Sequence, residues 1–426
     1  MFQSPSFHLS VPRGIALYVG ALLGPGLLLL PGLAAREAGP ASIVAWAGLL
    51  AVSALFAVVF AALGRARPQA NGVADYTEAG LGPVAGRIVG WSFLAGVIGG
   101  APVVCLIGAG YVTDLTGGGL LARCAVGAVL LVIVLGLAVG GVRASSAAQL
   151  VLVALLIVII AVAAGGAAPG ARASHWAPFA PHGWASIGRA AATLMLSFVG
   201  WEAVAPLTTR FRDPDRQLPR VIGAAFGVTT VLYLALALTT IAVLGPAAGT
   251  DVPLASLLVR SAGAAGRVAA AVAAVVLTLG AVNAYLSGAA ALAPRLVSSR
   301  PRAGTGAVSG TGSRPVLAAS AVAGLVVIAL YAAGLVNTTQ LIGLPTTLFL
   351  VVYLGCTVSA ARTLRGWTRA AAVGSALAVL VMLAFCGWLL VVAGAVAVAA
   401  AVGQASCSFW SPAHSVWKVP SESTRR

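Results

Sequence analysis

The sequence predicts an all-α polytopic membrane protein, and three observations carry that fold class. Only 8% of the 426 residues are charged and 60% are hydrophobic, with a mean hydropathy of +1.03, whereas a soluble domain is roughly 25% charged. Apolar runs of about 20 residues, each enough to cross about 30 Å of hydrocarbon, recur along nearly the whole chain and leave no room for a soluble domain. Two of these runs are interrupted, at Gly24-Pro25-Gly26 and at Gly200-Trp201-Glu202. In a bilayer an interrupted helix leaves N–H and C=O groups unpaired unless they face protein or a water-filled cavity, so each interruption marks a place where backbone is available to a ligand.

Taken in order between charged or Pro/Gly breaks, the runs cover 13–35, 41–63, 84–112, 120–141 and 147–167, then 189–209, 219–244, 266–293, 316–333 and 336–360. The first run is longer than the apolar region of a secretion signal, is broken by Gly and Pro, and is followed at once by more spans, so it is expected to stay in the mature protein. A last run, 371–402, is too long for one untilted helix and short for two, with Gly387-Trp388 the expected turn. Residues 1–12 form an N-terminal segment, 13–403 the transmembrane domain, and 404–426 a polar tail. That tail and the Gly/Ser/Arg-rich stretch from Ser298 to Ser313 have the composition of disordered segments.

Arginine placement sets the expected orientation. If the N-terminus is cytoplasmic, the inner segments carry Arg13, then Arg65, Arg67 and Arg87, then Arg143, then the groups at 210–220, 295–314 and 362–369. The outer ones carry only Arg36, Arg123, Arg172, Arg189, Arg260 and Arg267, so the N-terminus is read as inside. Lys418, Arg425 and Arg426 join the inner majority only if the last run crosses twice, which favours twelve spans over eleven. Each set of five spans opens on a broken helix, and five is odd, so the two sets, about 13–167 and 189–360, are expected to be inverted repeats.

The charge of +16, from 25 Lys+Arg against 9 Asp+Glu, is scattered between apolar runs rather than gathered on a face, so no nucleic-acid partner is expected. The five cysteines (105, 124, 356, 386 and 407) form no CxxC pair and read as packing residues; neither a metal nor a cofactor is expected. An enzyme is disfavoured: no HExxH, Ser/His/Asp set or Walker motif is present, and the four histidines lie apart at 8, 175, 182 and 414.

Four segments carry a resemblance: GALLGPGLLLLP from Gly20 to Pro31, NGVADYTEAGLGP from Asn71 to Pro83, FVGWE from Phe198 to Glu202, and FRDPDRQLPR from Phe211 to Arg220. Together they resemble the amino acid–polyamine–organocation superfamily, and with RASSAAQ from Arg143 to Gln149 their order and spacing are most similar to its bacterial methionine and branched-chain amino acid exporter branch. The resemblance runs from about Arg13 to Ala401. It implies a LeuT-like 5+5 inverted repeat with broken helices 1 and 6, plus two C-terminal helices. The chain departs from the family at Arg210, where an acidic residue is common, and by having no Lys in span five, so proton coupling is not inherited from relatives that use such a lysine.

A zwitterion at the midplane needs partners for both charges, and a broken helix supplies them without ionised side chains. Gly24 and Gly26 let backbone approach closely, and the amides near Gly26, Leu27 and Leu28 are the candidate carboxylate site, helped by the helix dipole. Carbonyls near Gly20 and Ala21, and across the site near Phe198 and Val199 beside the Gly200 break, are the candidate amine site. Read blandly, Gly-Pro-Gly is only a kink, which a second break and the family motifs weigh against. In the family an aromatic at Trp201 can cover the substrate; packing is the alternative for Trp201, as it is for Phe198 as a pocket wall. Glu202, the one carboxylate placed well inside a span, is read either as a proton carrier or as an acceptor holding the unwound segment. Asn283 and Tyr285 either face the site or tie helices together, with the tie favoured, and Asp75 and Asp251 are expected to lie in loops.

Lacking further mid-span charge, the site fits a neutral, largely apolar amino acid. The expected function is secondary active transport of such a substrate across the cytoplasmic membrane by alternating access, with export of methionine or branched-chain amino acids implied by the resemblance. The expected partners are the amino acid, the lipid bilayer and H+ as candidate coupling ion. An importer or exchanger of the same superfamily, or a transporter-like sensor, is the alternative.

Overall fold

The computed structural model describes residues 9–24, 26–70, 72–141, 146–203, 211–297 and 314–408, and no strand occurs among them. Pro25, Asn71, residues 204–210 with Arg210, the start of the 143–149 motif, the 298–313 stretch and the tail beyond 408 lie outside the described residues.

The first run divides where Gly-Pro-Gly predicts, into α1 (Val11–Leu22) and α2 (Gly26–Ala38). After α3 (Ser42–Ala66) comes a helix that the sequence reading did not assign, α4 (Val73–Leu81), with Asp75 in its first turn and Gly82 at φ 87° ending it. Asp75 is therefore helical rather than in a loop. Its acidic side chain suits a helix N-terminus, and α4 buries Val73, Ala74, Tyr76 and Thr77 while Glu78 stays exposed. At nine residues the helix is too short to produce a span-like apolar run, which is why hydropathy alone passes over it.

Then follow α5 (Pro83–Thr116), α6 (Leu120–Val139) and α7 (Ser146–Ala167). Span six begins as α8 (Ala185–Leu194), tightens to a 3-10 turn over Met195–Phe198 and becomes extended at Val199 (ψ 135°). α9 (Pro214–Leu244) starts at an Asp213 cap, whose carboxylate accepts from the Arg216 amide at 3.2 Å, with Pro214 at the first turn. α10 (Pro253–Val297) is interrupted at Gly263 (φ 61°, ψ −140°), so a short helix precedes the span expected from 266. α11 (Arg314–Ala332) and α12 (Thr338–Thr363) follow, the latter opened by a reciprocal Asn337–Gln340 capping box at 2.9 and 3.0 Å. The final apolar run divides into α13 (Gly366–Ala384) and α14 (Leu389–Ser408) around Gly387 at φ 56°, the turn expected there.

Among the described residues, nine helical stretches are long and apolar enough to cross a membrane, and shorter apolar helices accompany them. α5 is the centre, touching α4, α6, α10, α11, α12 and α14. Lipid is as apolar as a leucine side chain, so helix association rests on close packing, and small residues allow it. A Cβ at Gly108 of α5, for example, would stand 2.5 Å from Thr278 Oγ1 of α10. The outer helices instead present Val132, Val139, Val151 and Leu325, which water would disfavour and lipid accepts.

Candidate functional site

The two interruptions meet. Gly200 has φ 141°, in the region that favours glycine, and a Cβ there would lie 2.7 Å from the Ala21 carbonyl oxygen and 3.2 Å from the Leu22 amide. One broken helix thus lies backbone to backbone on the other. The Tyr233 hydroxyl of α9 spans the junction, 2.7 Å from Leu22 O and 2.6 Å from Ser197 O, so its single proton serves carbonyls that the broken helices leave over.

Glu202 holds the second interruption together. It is 6% exposed, and its Oε2 accepts from the Gly200 amide at 2.8 Å and the Tyr353 hydroxyl at 2.7 Å. The Tyr353 oxygen accepts in turn from the Gly200 and Trp201 amides, each at 3.2 Å. Two amides of the unwound segment are satisfied by two side chains, which makes non-helical backbone tolerable at this depth. The other carboxylate oxygen, Oε1, faces the Tyr285 hydroxyl at 3.5 Å, the outer limit of a hydrogen bond.

Beside the junction is a cavity of about 60 Å³, walled by the α1–α2 break, α5, the end of span six, α10 and α12. One water needs roughly 10–15 Å³, so several non-hydrogen atoms fit. From the residues expected at the site, Ala21, Gly24, Gly26 and Val199 line it. A Cβ at Gly24 would meet nothing within 4 Å, whereas one at Gly26 would stand 2.9 Å from Ser197 Oγ.

The amino acid permease family profile matches residues 9–300, more than half of the chain. The chain belongs to the amino acid permease family. It is 29% identical to the uncharacterized amino acid permease YecA of Bacillus subtilis (strain 168), over 89% of this chain and 91% of that one. It is 28% identical to the L-methionine/branched-chain amino acid exporter YjeH of Escherichia coli (strain K12), over 89% and 92% of the two chains. The branched-chain amino acid permease BcaP of B. subtilis is 27% identical over 58% of this chain and 57% of its own. The protein is accordingly a multi-pass membrane transporter of amino acids rather than an enzyme.

The other expected site residues of the permease are not on the cavity wall. Leu27 and Leu28 point into the core, and the Leu27 amide already donates to Gly24 O at 3.1 Å. Phe198 packs between Trp46 and Tyr233, with ring centroids 6.0 and 5.4 Å away. Trp201 is fully buried, its Nε1–H donating to Ser53 Oγ at 2.9 Å, so its packing alternative describes this conformation. Gly20 and Gly200 do not line it, and Glu202 meets a wall residue at Tyr285. An aromatic next to a break has the same sequence signature whether it faces a pocket or a neighbouring helix. Tyr285, for which the sequence reading favours a helix tie over a place facing the site, lines the cavity, as do Gly96, Gly100 and Phe349, which have no motif to mark them. The one trace of the α5 wall in the sequence is the cluster Gly96, Gly99 and Gly100, a small-residue face without any indication of what it faces.

A polar clamp closes one end of the permease. Asp251, in the loop between α9 and α10 as expected, accepts from Arg36 of α2 at 2.7 Å and from Arg123 of α6 at 2.8 Å. Arg36 also donates to Gly249 O, and Arg123 to Leu106 O at 3.1 Å while lying 5.6 Å from the Tyr331 ring centre. Burial pushes the Asp251 carboxyl up, but the two guanidinium groups outweigh it and hold the group below its ordinary value. At the other end, Arg65 and Asp215 pair at 3.0 Å in solvent, and Phe211 packs on Gly14 so closely that a Cβ there would meet its ring at 2.9 Å.

Proposed function

We propose that this permease moves neutral, largely apolar amino acids across the cytoplasmic membrane by alternating access, with its N-terminus in the cytoplasm and export of methionine or branched-chain amino acids as its direction and cargo. The observation that carries the substrate class is the cavity beside the touching helix breaks, where no charged side chain lies among the described wall residues. A cationic amino acid would need a carboxylate on that wall and an acidic one a guanidinium or ammonium, because a lone charge is costly at this depth. A zwitterion can instead use backbone: amides at the start of α2, near Gly26, for its carboxylate, and carbonyls near Ala21 and Val199 for its amine. The E. coli relative, an exporter by its name, supports the choice of cargo and direction.

The two five-span sets, about 13–167 and 189–360, act in this reading as inverted repeats that rock about the junction. Counterflow of labelled leucine, methionine, lysine and glutamate in proteoliposomes tests the substrate: leucine and methionine should exchange and the charged pair should not. Everted vesicles with and without an imposed pH gradient test direction and coupling. If Glu202 carries the coupling proton, Glu202→Gln should lose the response to the gradient and keep amino acid exchange, which moves no net proton. Loss of both would make the residue a tie for the unwound segment, the role its three hydrogen-bonding neighbours support.

A further inference from the structure

Of the described residues on the cavity wall, all are glycine, proline or apolar except Tyr285. This hydroxyl is also the one polar link from the wall to the buried carboxylate, reaching Glu202 Oε1 at 3.5 Å. The ring is held in place by an edge contact with Phe349, another wall residue, at 6.1 Å between centroids and 63° between planes. We infer that Tyr285 recognises the substrate's amine, its oxygen accepting from the ammonium while its proton is donated to Glu202.

The direction of the bonds makes the assignment. In the contact with Glu202 the tyrosine is the donor, so its single proton is used there and its oxygen lone pairs are left for a donor from the cavity. An amino acid with an apolar side chain brings one strong donor, its ammonium; its carboxylate has nothing to give. Chained hydrogen bonds polarise one another in a low dielectric, so through this hydroxyl the ammonium is connected to a carboxyl group that is not itself on the cavity wall. Tyr285 thereby supplements the backbone carbonyls and favours ligands that carry a positive amine over simple carboxylates. The inference rests on the proposed amino acid site and adds a residue to it.

The test is equilibrium binding to the purified full-length protein, with labelled leucine displaced by unlabelled leucine or by isocaproate, which is leucine without its amine. Tyr285→Phe keeps the ring and its contact with Phe349. It should weaken leucine about tenfold or more, the usual cost of losing a hydrogen bond to a charged group, and leave isocaproate unchanged, so the preference for the amine falls by the same factor. Equal weakening of both ligands would mean that the hydroxyl shapes the cavity or meets the carboxylate, and an unchanged preference would mean that it does not touch the amine; either overturns the inference. Should the Phe variant not fold, Tyr285→Leu removes the same hydroxyl with less volume and is held to the same outcomes. Wild-type protein that binds neither leucine nor methionine would overturn the functional reading itself, a result separable from a failure at Tyr285.

Discussion

Gly24 and Gly26 stand two residues apart at one helix break and do different things. The space beside Gly24 is empty cavity, so Gly24→Val should fold and reach the membrane normally, yet raise the half-saturating leucine concentration severalfold in counterflow by filling that space. Gly26 is wedged against Ser197 and Leu30, and Gly26→Leu should lose transport together with stability, by about 1–3 kcal/mol from overpacking, visible as a lower melting temperature in detergent. Membrane insertion should survive, since that depends on the apolar run rather than on the break. Tyr353 acts on backbone rather than on volume. In Tyr353→Phe the Gly200 amide keeps Glu202 but the Trp201 amide loses its acceptor, which should cost about 1–3 kcal/mol for a buried donor and appear in the same thermal assay.

Among elements, the Arg36–Asp251–Arg123 clamp joins α2, α6 and the loop before α10, and so fixes a half of the first broken helix to two parts of the frame. Arg123 is only 13% exposed but Arg36 is 48%, so solvent screens much of the network and Asp251→Asn should cost about 1 kcal/mol. Releasing the clamp should also make a cysteine at Val104, on the cavity wall, reactive toward an impermeant thiol reagent added on the clamp side. The pH dependence follows from the depressed Asp251 value. Its contribution is present above the unfolded carboxyl value of about 3.9 and is lost as pH falls through the lower folded value. The difference in melting temperature between wild type and Asp251→Asn should therefore be flat from pH 8 down to about 4 and shrink below it.

For the molecule as a whole, we propose twelve spans with both termini in the cytoplasm, a reading that rests on the arginine distribution and the Gly387 turn between α13 and α14. A cysteine at Ser411 in a cysteine-free background should react with an impermeant reagent only in everted vesicles; labelling from the outside of intact cells would rule out the twelfth crossing. On that proposed sidedness the clamp would lie on the outer surface and the Arg65–Asp215 pair on the inner one. α3 and α9 span between these groups, with Arg65 near the end of α3 and Asp215 at the start of α9.

Chain composition and spacing alone determined that this is a helical membrane protein, where its long helices run, that helices one and six break, and that the last apolar run turns at Gly387. Those features are local: a bilayer demands about 20 apolar residues per crossing, and Gly-Pro-Gly sets residues free in φ beside one that has no N–H to give. Tertiary structure decided the rest. It set which side of each break faces the cavity, admitting Ala21, Gly24, Gly26 and Val199 and turning Phe198 and Trp201 into the core. It also brought Tyr285, Tyr353 and Asp251 to partners more than 80 residues away in the chain. In helices that are apolar on every face, hydrophobic periodicity no longer tells inside from outside, so facing is settled only when the helices pack.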